Sequence, residues 1–295
     1  MQITPASFVE ELDLPWIQDF LECRFRCHDR HLGEGLGSVE ARPWSRHSRN
    51  LVQLATEVAR RRLQTNQADL TPEDVADLHR EIALADASPD EQELDDGAAI
   101  ALAWWRAFAG RMRVVAADVP WRIRLEETPP IPGSWVLRGR AVAVYHAEVE
   151  PWSHLAVPIL APRPWTARQL EAELAPVWHV AGGRLGLGLQ DLRSVSLQVV
   201  VWPPEGRAGL QVQDLEPVVA ENRLRGFLEL QMPAVRTALH DALYSPSWYP
   251  NRLAPGCSRR MCLSWRKCVE SFGGDIPAHE EAAQGPQEPA RTAPR

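Results

Sequence analysis

The sequence predicts an α/β fold, and two changes of pattern along the chain support this. Apolar residues recur every three or four positions in the first part of the chain, as in amphipathic helices. Strand-like alternation begins near Arg113. From there the predicted order is several strands, a helix, a buried strand, a short paired strand and a long helix. That order is typical of a mixed sheet flanked by helices.

Helices are predicted to dominate the region before the sheet. Residues 1–32 read as a short strand or turn and then a helix, for which Pro15 suits the first position. Thr71 can cap another helix, because Pro72 and two acidic residues follow it. Residues 85–96 are acidic and are predicted to form an exposed linker. The predicted helices after the N-terminal one span 48–64, 71–84 and 97–113.

The second part of the chain alternates between predicted strands and helices. Turn residues separate the strand patterns, and the most apolar of them, 195–202, is predicted to be buried. The predicted strands span 114–119, 121–125, 135–149, 155–160, 195–202 and 209–212, and the predicted helices span 165–187 and 217–243.

Five segments follow from these patterns. They are an N-terminal segment (1–32), a helical region (33–112), an α/β core (113–248), a cysteine-rich segment (249–274) and a tail (275–295). The tail consists mainly of Asp, Glu, Pro, Ala, Gln and Arg, so it is predicted to be disordered.

Composition limits the possible partners and chemistries. The net charge is −7, so any nucleic-acid surface must be a local patch. Of the 32 basic residues only Lys267 is a lysine, which leaves no catalytic lysine elsewhere. No apolar run is long enough to span a membrane, and the first residues do not resemble a signal peptide. We therefore expect a cytoplasmic protein with reduced thiols and no membrane partner.

The cysteines form the most specific pattern in the chain. Cys257, Cys262 and Cys268 have the spacing C-x4-C-x5-C, and Cys23 and Cys27 lie one helical turn apart near the N-terminus. Four thiolates can hold an iron–sulfur cluster or a zinc ion, and would then join the two ends of the fold. Buried thiols are the alternative. His28 and His31 are further ligand candidates for zinc.

These motifs resemble the iron–sulfur branch of the PD-(D/E)XK nuclease superfamily, the RecB/AddB-type nucleases. Residues 20–26 are similar to the family's opening FLxCPRK, residues 137–140 to its LxGRID, and residues 248–251 to the turn before its cysteine triplet. The resemblance implies a PD-(D/E)XK core with a helical insertion. It also implies a metal clasp, a 4Fe–4S cluster or alternatively zinc. The implied ligands are Cys23, Cys257, Cys262 and Cys268, and Cys27 packs instead.

The same resemblance implies that the catalytic residues are lost. Such nucleases hold a divalent ion between carboxylates and place a lysine beside the attacking water. The family's first acid corresponds to Asp118. Val142 stands where the GRID motif has its aspartate, and Pro158 and Leu160 replace the acid and lysine of the D-x-K motif. Ala175 and His179 replace the residues of the later Q-x-x-x-Y helix.

The sequence therefore predicts a non-catalytic, DNA-binding or scaffolding subunit in recombination, repair or phage defence. Its expected partners are DNA, bound weakly and without sequence preference, and a helicase or an active nuclease subunit. One alternative is an active nuclease with a displaced site, for which Glu126, Glu148 and Glu150 are the first candidates. Another is a zinc-stabilised protein-interaction module. The candidate DNA contacts are Arg24, Arg26, Arg30, Arg252, Arg259, Arg260 and Arg266.

Overall fold

A computed structural model of the protein describes residues 11–27, 43–86, 88–125, 135–147, 153–203, 206–244 and 268–269. The chain divides into two compact units. The first comprises residues 1–14 and 43–241, and the second comprises residues 15–42 and 242–295. The predicted tail, 275–295, lies outside the described residues.

A mixed sheet forms the centre of the first unit. Its strands follow the order β1-β3-β4-β5-β6, and β2 pairs with β3. The β1–β3 and β4–β5 pairs are parallel, whereas the β2–β3, β3–β4 and β5–β6 pairs are antiparallel. The prediction of an α/β fold with a mixed sheet flanked by helices is therefore confirmed. The strands are β1 (Glu11–Leu12), β2 (Met112–Leu125), β3 (Trp135–Ala147), β4 (Ser153–Ala161), β5 (Ser196–Val201) and β6 (Gln211–Leu215).

The described helices are close to those that the sequence predicts. They are α1 (Leu14–Glu22), α2 (Arg24–Cys27), α3 (Pro43–Gln64), α4 (Pro72–Asp86), α5 (Glu91–Phe108), α6 (Ala167–Ala172), α7 (Ala175–Ala181), α8 (Glu221–Gly226) and α9 (Met232–Tyr244). Five-residue π-helical turns, Gly182–Gly186 and Phe227–Gln231, follow α7 and α8. No helix among these described segments is long and apolar enough to cross a membrane.

The prediction of an exposed linker over 85–96 is wrong for its second half. Helix α5 begins at Glu91, because the Asp90 side chain accepts a hydrogen bond from the backbone N–H of Glu93 at 2.8 Å. The acidic residues in the first turn of α5, Glu91 and Glu93, also stabilise the helix by interacting with the positive end of its dipole. The high acidic content therefore marks the beginning of a helix.

The predicted helix over 165–187 is interrupted. Thr166 caps α6 through a reciprocal pair of hydrogen bonds with Gln169, but the helix ends at Ala172. Pro176 lies four residues later. It has no N–H to donate to the Ala172 carbonyl, and its ring would clash with that group. The chain therefore turns at Glu173 before α7 begins.

Helices α3, α4 and α5 share one apolar core with the sheet. Leu54 and Val58 of α3 and Trp104 of α5 are fully buried in it. The indole N–H of Trp104 donates to the side-chain oxygen of Gln198 in β5 at 2.8 Å, so the one polar group of that side chain is satisfied. Val142 of β3 and Leu160 of β4 are members of this core.

Candidate functional site

Asp118 lies in the middle of β2, not at a strand end. The strand runs without interruption from Met112 to Leu125, although two separate strands were predicted there. The pairing of Val119 with Ala141 places Asp118 opposite Val142 of β3. The backbone of Asp118 is left-handed, with φ of 57°, a conformation that aspartate adopts more readily than most residues.

Two arginines hold the Asp118 carboxylate. Arg60 of α3 donates to Oδ2 and Arg140 of β3 donates to Oδ1. The Asp118 side chain is only 13% exposed, whereas both arginines are about half exposed. Burial tends to raise the pKa of Asp118. The hydrogen bonds and charges of Arg140 and Arg60 outweigh burial, so this pKa lies below its ordinary value.

We call this arrangement the Asp118 clamp (Arg60, Asp118 and Arg140). It leaves few oxygen atoms free to coordinate a metal ion. Each carboxylate oxygen already accepts a charge-assisted hydrogen bond, and two positive charges stand where a cation would have to approach. A hard divalent cation needs several oxygen ligands. The neighbouring strands supply none from side-chain carboxylates, because the described parts of β3 and β4 contain neither Asp nor Glu.

The other positions aligned with nuclease motifs are apolar and buried. Val142 and Leu160 are each 8% exposed and belong to the core under α3 and α5. Pro158 is also buried, in a stretch of β4 whose partner is Gln198 of β5. Among the described pairs, β3 contacts β4 only up to Ala156. Pro158 therefore lies where one side of β4 has no β3 neighbour, which is where a strand tolerates proline.

Ala175 and His179 lie on α7. Ala175 is buried and His179 is partly exposed, but the Nδ1 atom of His179 is buried without a hydrogen-bond partner in the described part of the chain. Burial lowers the pKa of His179 to about 4, so the imidazole is neutral at physiological pH.

The two N-terminal cysteines differ in their surroundings. Cys23 separates α1 from α2 and is 7% exposed. Cys27 ends α2 and is fully buried, and its thiol donates to the carbonyl oxygen of Trp16 at 3.8 Å. A thiol that donates a hydrogen bond carries its proton, whereas a metal ligand is a thiolate. This contact favours Cys23 over Cys27 as the ligand.

The structure describes only part of the predicted cysteine cluster. Cys268 is half-buried and, like Cys23, belongs to the second unit. Cys257 and Cys262 lie outside the described residues, as do His28 and His31. Within the described ranges, no three His, Cys, Asp or Glu side chains are close enough together to hold a metal ion.

One of the predicted DNA-contacting arginines has a described side chain. The Arg24 guanidinium lies over the Phe20 ring, 5.4 Å from its centroid. Arg26 lies in α2, but its side chain is outside the described part. Arg30, Arg252, Arg259, Arg260 and Arg266 lie outside the described residues, as do Glu126, Glu148 and Glu150.

The contacts of Arg60 and Arg140 with Asp118 were not predicted from the sequence. Arg60 is 58 residues before Asp118. It belongs to a run of three arginines that is typical of a solvated helix C-terminus, and nothing in that run indicates a contact with Asp118. Arg140 offers a better signal, because arginines alternate with other residues in both predicted strands, at 122 and 124 and at 138 and 140. Alternation with a period of two places such residues on one face of a sheet.

In the comparisons with known proteins, no family model matches this chain and no curated protein matches it significantly.

Proposed function

We propose that this protein is a catalytically degenerate PD-(D/E)XK nuclease-like protein that binds DNA or scaffolds an active subunit in recombination, repair or phage defence. The Asp118 clamp carries this proposal. The one acid that corresponds to a catalytic acid is held by two arginines, and the neighbouring motif positions are part of an apolar core. A site of this kind attracts anions and does not retain Mg2+.

The strand order of the first unit supports the nuclease resemblance. Strands β2, β3 and β4 are consecutive and antiparallel, and α6 and α7 then lead to β5, which is parallel to β4. Asp118 and Val142 lie opposite each other on β2 and β3, so two positions that were aligned with separate motifs are neighbours in space.

A 4Fe–4S cluster is the proposed cofactor, with Cys23, Cys257, Cys262 and Cys268 as its ligands. Two observations support it. The two ligands that the structure describes, Cys23 and Cys268, belong to the same compact unit, although more than 200 residues separate them in sequence. The hydrogen bond from Cys27 to Trp16 leaves Cys23 as the N-terminal candidate. The cluster would join the N-terminal and C-terminal segments, as metal sites do in other small folds.

The test combines cleavage and binding measurements on one anaerobic preparation. The protein is incubated with single- and double-stranded DNA in Mg2+ and in Mn2+, and its affinity for labelled oligonucleotides is measured from about 50 to about 200 mM salt. We expect no cleavage, and binding that weakens steeply as salt rises, because phosphate contacts release counterions.

Each alternative predicts a different result. Cleavage that disappears in an Asp118→Ala variant would show an active nuclease and overturn the proposal. Binding that is absent at low salt, in a protein that carries stoichiometric zinc, would instead support a protein-interaction module.

A further inference from the structure

The exposed face of the β2–β3 ribbon carries four arginines side by side. Arg122 and Arg124 alternate along β2, and Arg138 and Arg140 alternate along β3. Arg122 lies directly opposite Arg138 in the ladder. Because residues two apart and residues directly opposite share a face, all four guanidinium groups leave the sheet on one side. All four residues are exposed, and the Arg122 side chain is 69% exposed.

The opposite face of the same ribbon is apolar and buried. The side chains that alternate with the arginines are apolar and nearly inaccessible, namely Trp121, Ile123, Trp135 and Leu137. The ribbon is therefore anchored by one face, and its arginine face is held at a fixed spacing by the backbone ladder. We call this surface the arginine face (Arg122, Arg124, Arg138 and Arg140).

Like charges that lie opposite each other in a strand ladder are destabilising. Nearby carboxylates only partly offset the repulsion between Arg122 and Arg138, which form such a pair. Glu11 of β1 lies 3.5 Å from Arg122 and 3.0 Å from Arg138, so one carboxylate serves two guanidinium groups. Asp13 lies 3.7 Å from Arg138. Arg124 has no ion pair within the described part of the chain. Within the described residues, three carboxylates contact the four arginines, namely Glu11, Asp13 and Asp118.

We infer that the arginine face binds the phosphate backbone of a nucleic acid. Arginine presents a planar, always charged fork that matches phosphate oxygens, and four such groups on a rigid ribbon can contact successive phosphates. Among the described residues of this face there is no exposed aromatic side chain and no amide side chain for reading bases, so contacts to the nucleic-acid backbone without sequence preference are expected. This inference rests on the proposed nucleic-acid role, but it assigns that role to the first unit.

The face also explains why local binding is compatible with a net charge of −7. Surface potential depends on the nearest charges, because ionic screening removes most of the effect of those beyond about 8–10 Å. Arg60 extends the positive surface from β3 onto α3, since it and Arg140 both contact Asp118.

The test compares two triple variants with the same change of net charge. In the first, Arg122, Arg124 and Arg138 are each replaced by Gln. In the matched control, three exposed arginines elsewhere in the first unit, Arg80, Arg168 and Arg193, are each replaced by Gln; none of them has an ion pair among the described residues. Arg124→Glu is a further variant that breaks no described ion pair, so its folding should be unaffected.

The readout is fluorescence anisotropy of labelled single- and double-stranded oligonucleotides over a salt series, with circular dichroism as a check on folding. We expect the first triple variant to lose at least about tenfold in affinity, and its salt slope to fall by about two to three, close to one per phosphate contact. Arg124→Glu should also weaken binding, and the control should bind like the wild type.

Two results would overturn the inference and are distinguishable from failure of the proposed function. If the wild type binds DNA but the control triple variant loses as much affinity as the first, binding depends on total charge alone. If the folded first triple variant and Arg124→Glu both bind like the wild type, the DNA is held elsewhere. If the wild type itself does not bind at low salt, the proposed function fails and this inference fails with it.

Discussion

Replacement of Asp118 by Asn and by Ala separates the two roles that the structure gives this residue. Asn keeps the shape of the side chain and tolerates the left-handed backbone, but removes the charge that Arg60 and Arg140 hold. Ala removes the charge and also has to adopt φ of 57°, which a residue with a Cβ and no polar side chain resists. The stability lost in the Asn variant therefore reports the contribution of the ion pairs. The further loss in the Ala variant reports the cost of the left-handed backbone conformation.

The expected magnitudes follow from the geometry. Both arginines are about half exposed, so solvent screens each pair and the two together contribute about 1 kcal/mol. The left-handed conformation costs about 1 kcal/mol or more for alanine. We expect the free energy of unfolding to fall by about 1 kcal/mol in Asp118→Asn and by about 2 kcal/mol in Asp118→Ala.

The contribution of the clamp also has a defined pH dependence. The pKa of Asp118 is lower in the folded than in the unfolded state, so the unfolded state binds more protons as pH falls. The difference between wild type and Asp118→Asn should be complete above the ordinary aspartate pKa of about 3.9 and should be lost as pH falls through the lower folded value.

Urea denaturation followed by tryptophan fluorescence and circular dichroism provides the assay. An Asp118→Asn variant that is more stable than the wild type would refute this account. That result is typical of a carboxylate that is kept for metal binding at the expense of stability. Equal stability of the Asn and Ala variants would refute the argument about the backbone.

Three further predictions concern packing, titration and the cofactor. Gly97→Ala should lower the free energy of unfolding by about 1–2 kcal/mol, because the added Cβ would lie 2.4 Å from the His79 ring and this clash outweighs the helix preference of alanine. Gly226→Ala is the control: the space around Gly226 is open, so this variant should be as stable as the wild type or more stable by up to about 1 kcal/mol. Urea denaturation measures both differences. Burial lowers the pKa of His79 to about 4, so the unfolded state binds more protons than the folded state below about pH 6.5. The free energy of unfolding should therefore fall by about 3 kcal/mol between pH 6.5 and 4, and this pH dependence should be weaker in His79→Gln. Cys23→Ala should abolish the visible absorption and iron content of anaerobically purified protein, whereas Cys27→Ala should retain both; the reverse result, or a colourless protein with one equivalent of zinc, would contradict the cluster assignment.

Much of the fold could be predicted because its signals are local. The alternation in β2 and β3, the apolar run of β5 and the Thr166 cap of α6 each need only neighbouring residues to be recognised. The errors have local causes too. Acidic residues 91–96 were interpreted as a linker, although Asp90 can cap a helix there, and Pro176 interrupts a helix that otherwise has a continuous apolar pattern.

The site was harder to predict because it depends on contacts between distant residues. Asp118 could be identified as a candidate acid from its motif, but its partner Arg60 comes from a helix that precedes it by 58 residues. No local pattern states which exposed arginine of α3 approaches which strand. The burial of Val142 and Leu160 was implied by their residue types, but their place in the core under α3 and α5 follows only from the sheet register and the packing of those helices.

Binding of Mn2+ tests the central claim, that the Asp118 clamp has replaced a metal site, most directly. Mn2+ is a hard, paramagnetic cation that prefers carboxylate oxygens to thiolates, so the electron paramagnetic resonance signal of the free ion reports binding without interference from a thiolate cluster. The account predicts that titration of the wild type shows no stoichiometric Mn2+ site and that Asp118→Asn gives the same curve. One equivalent of Mn2+ bound by the wild type and lost in Asp118→Asn would contradict it.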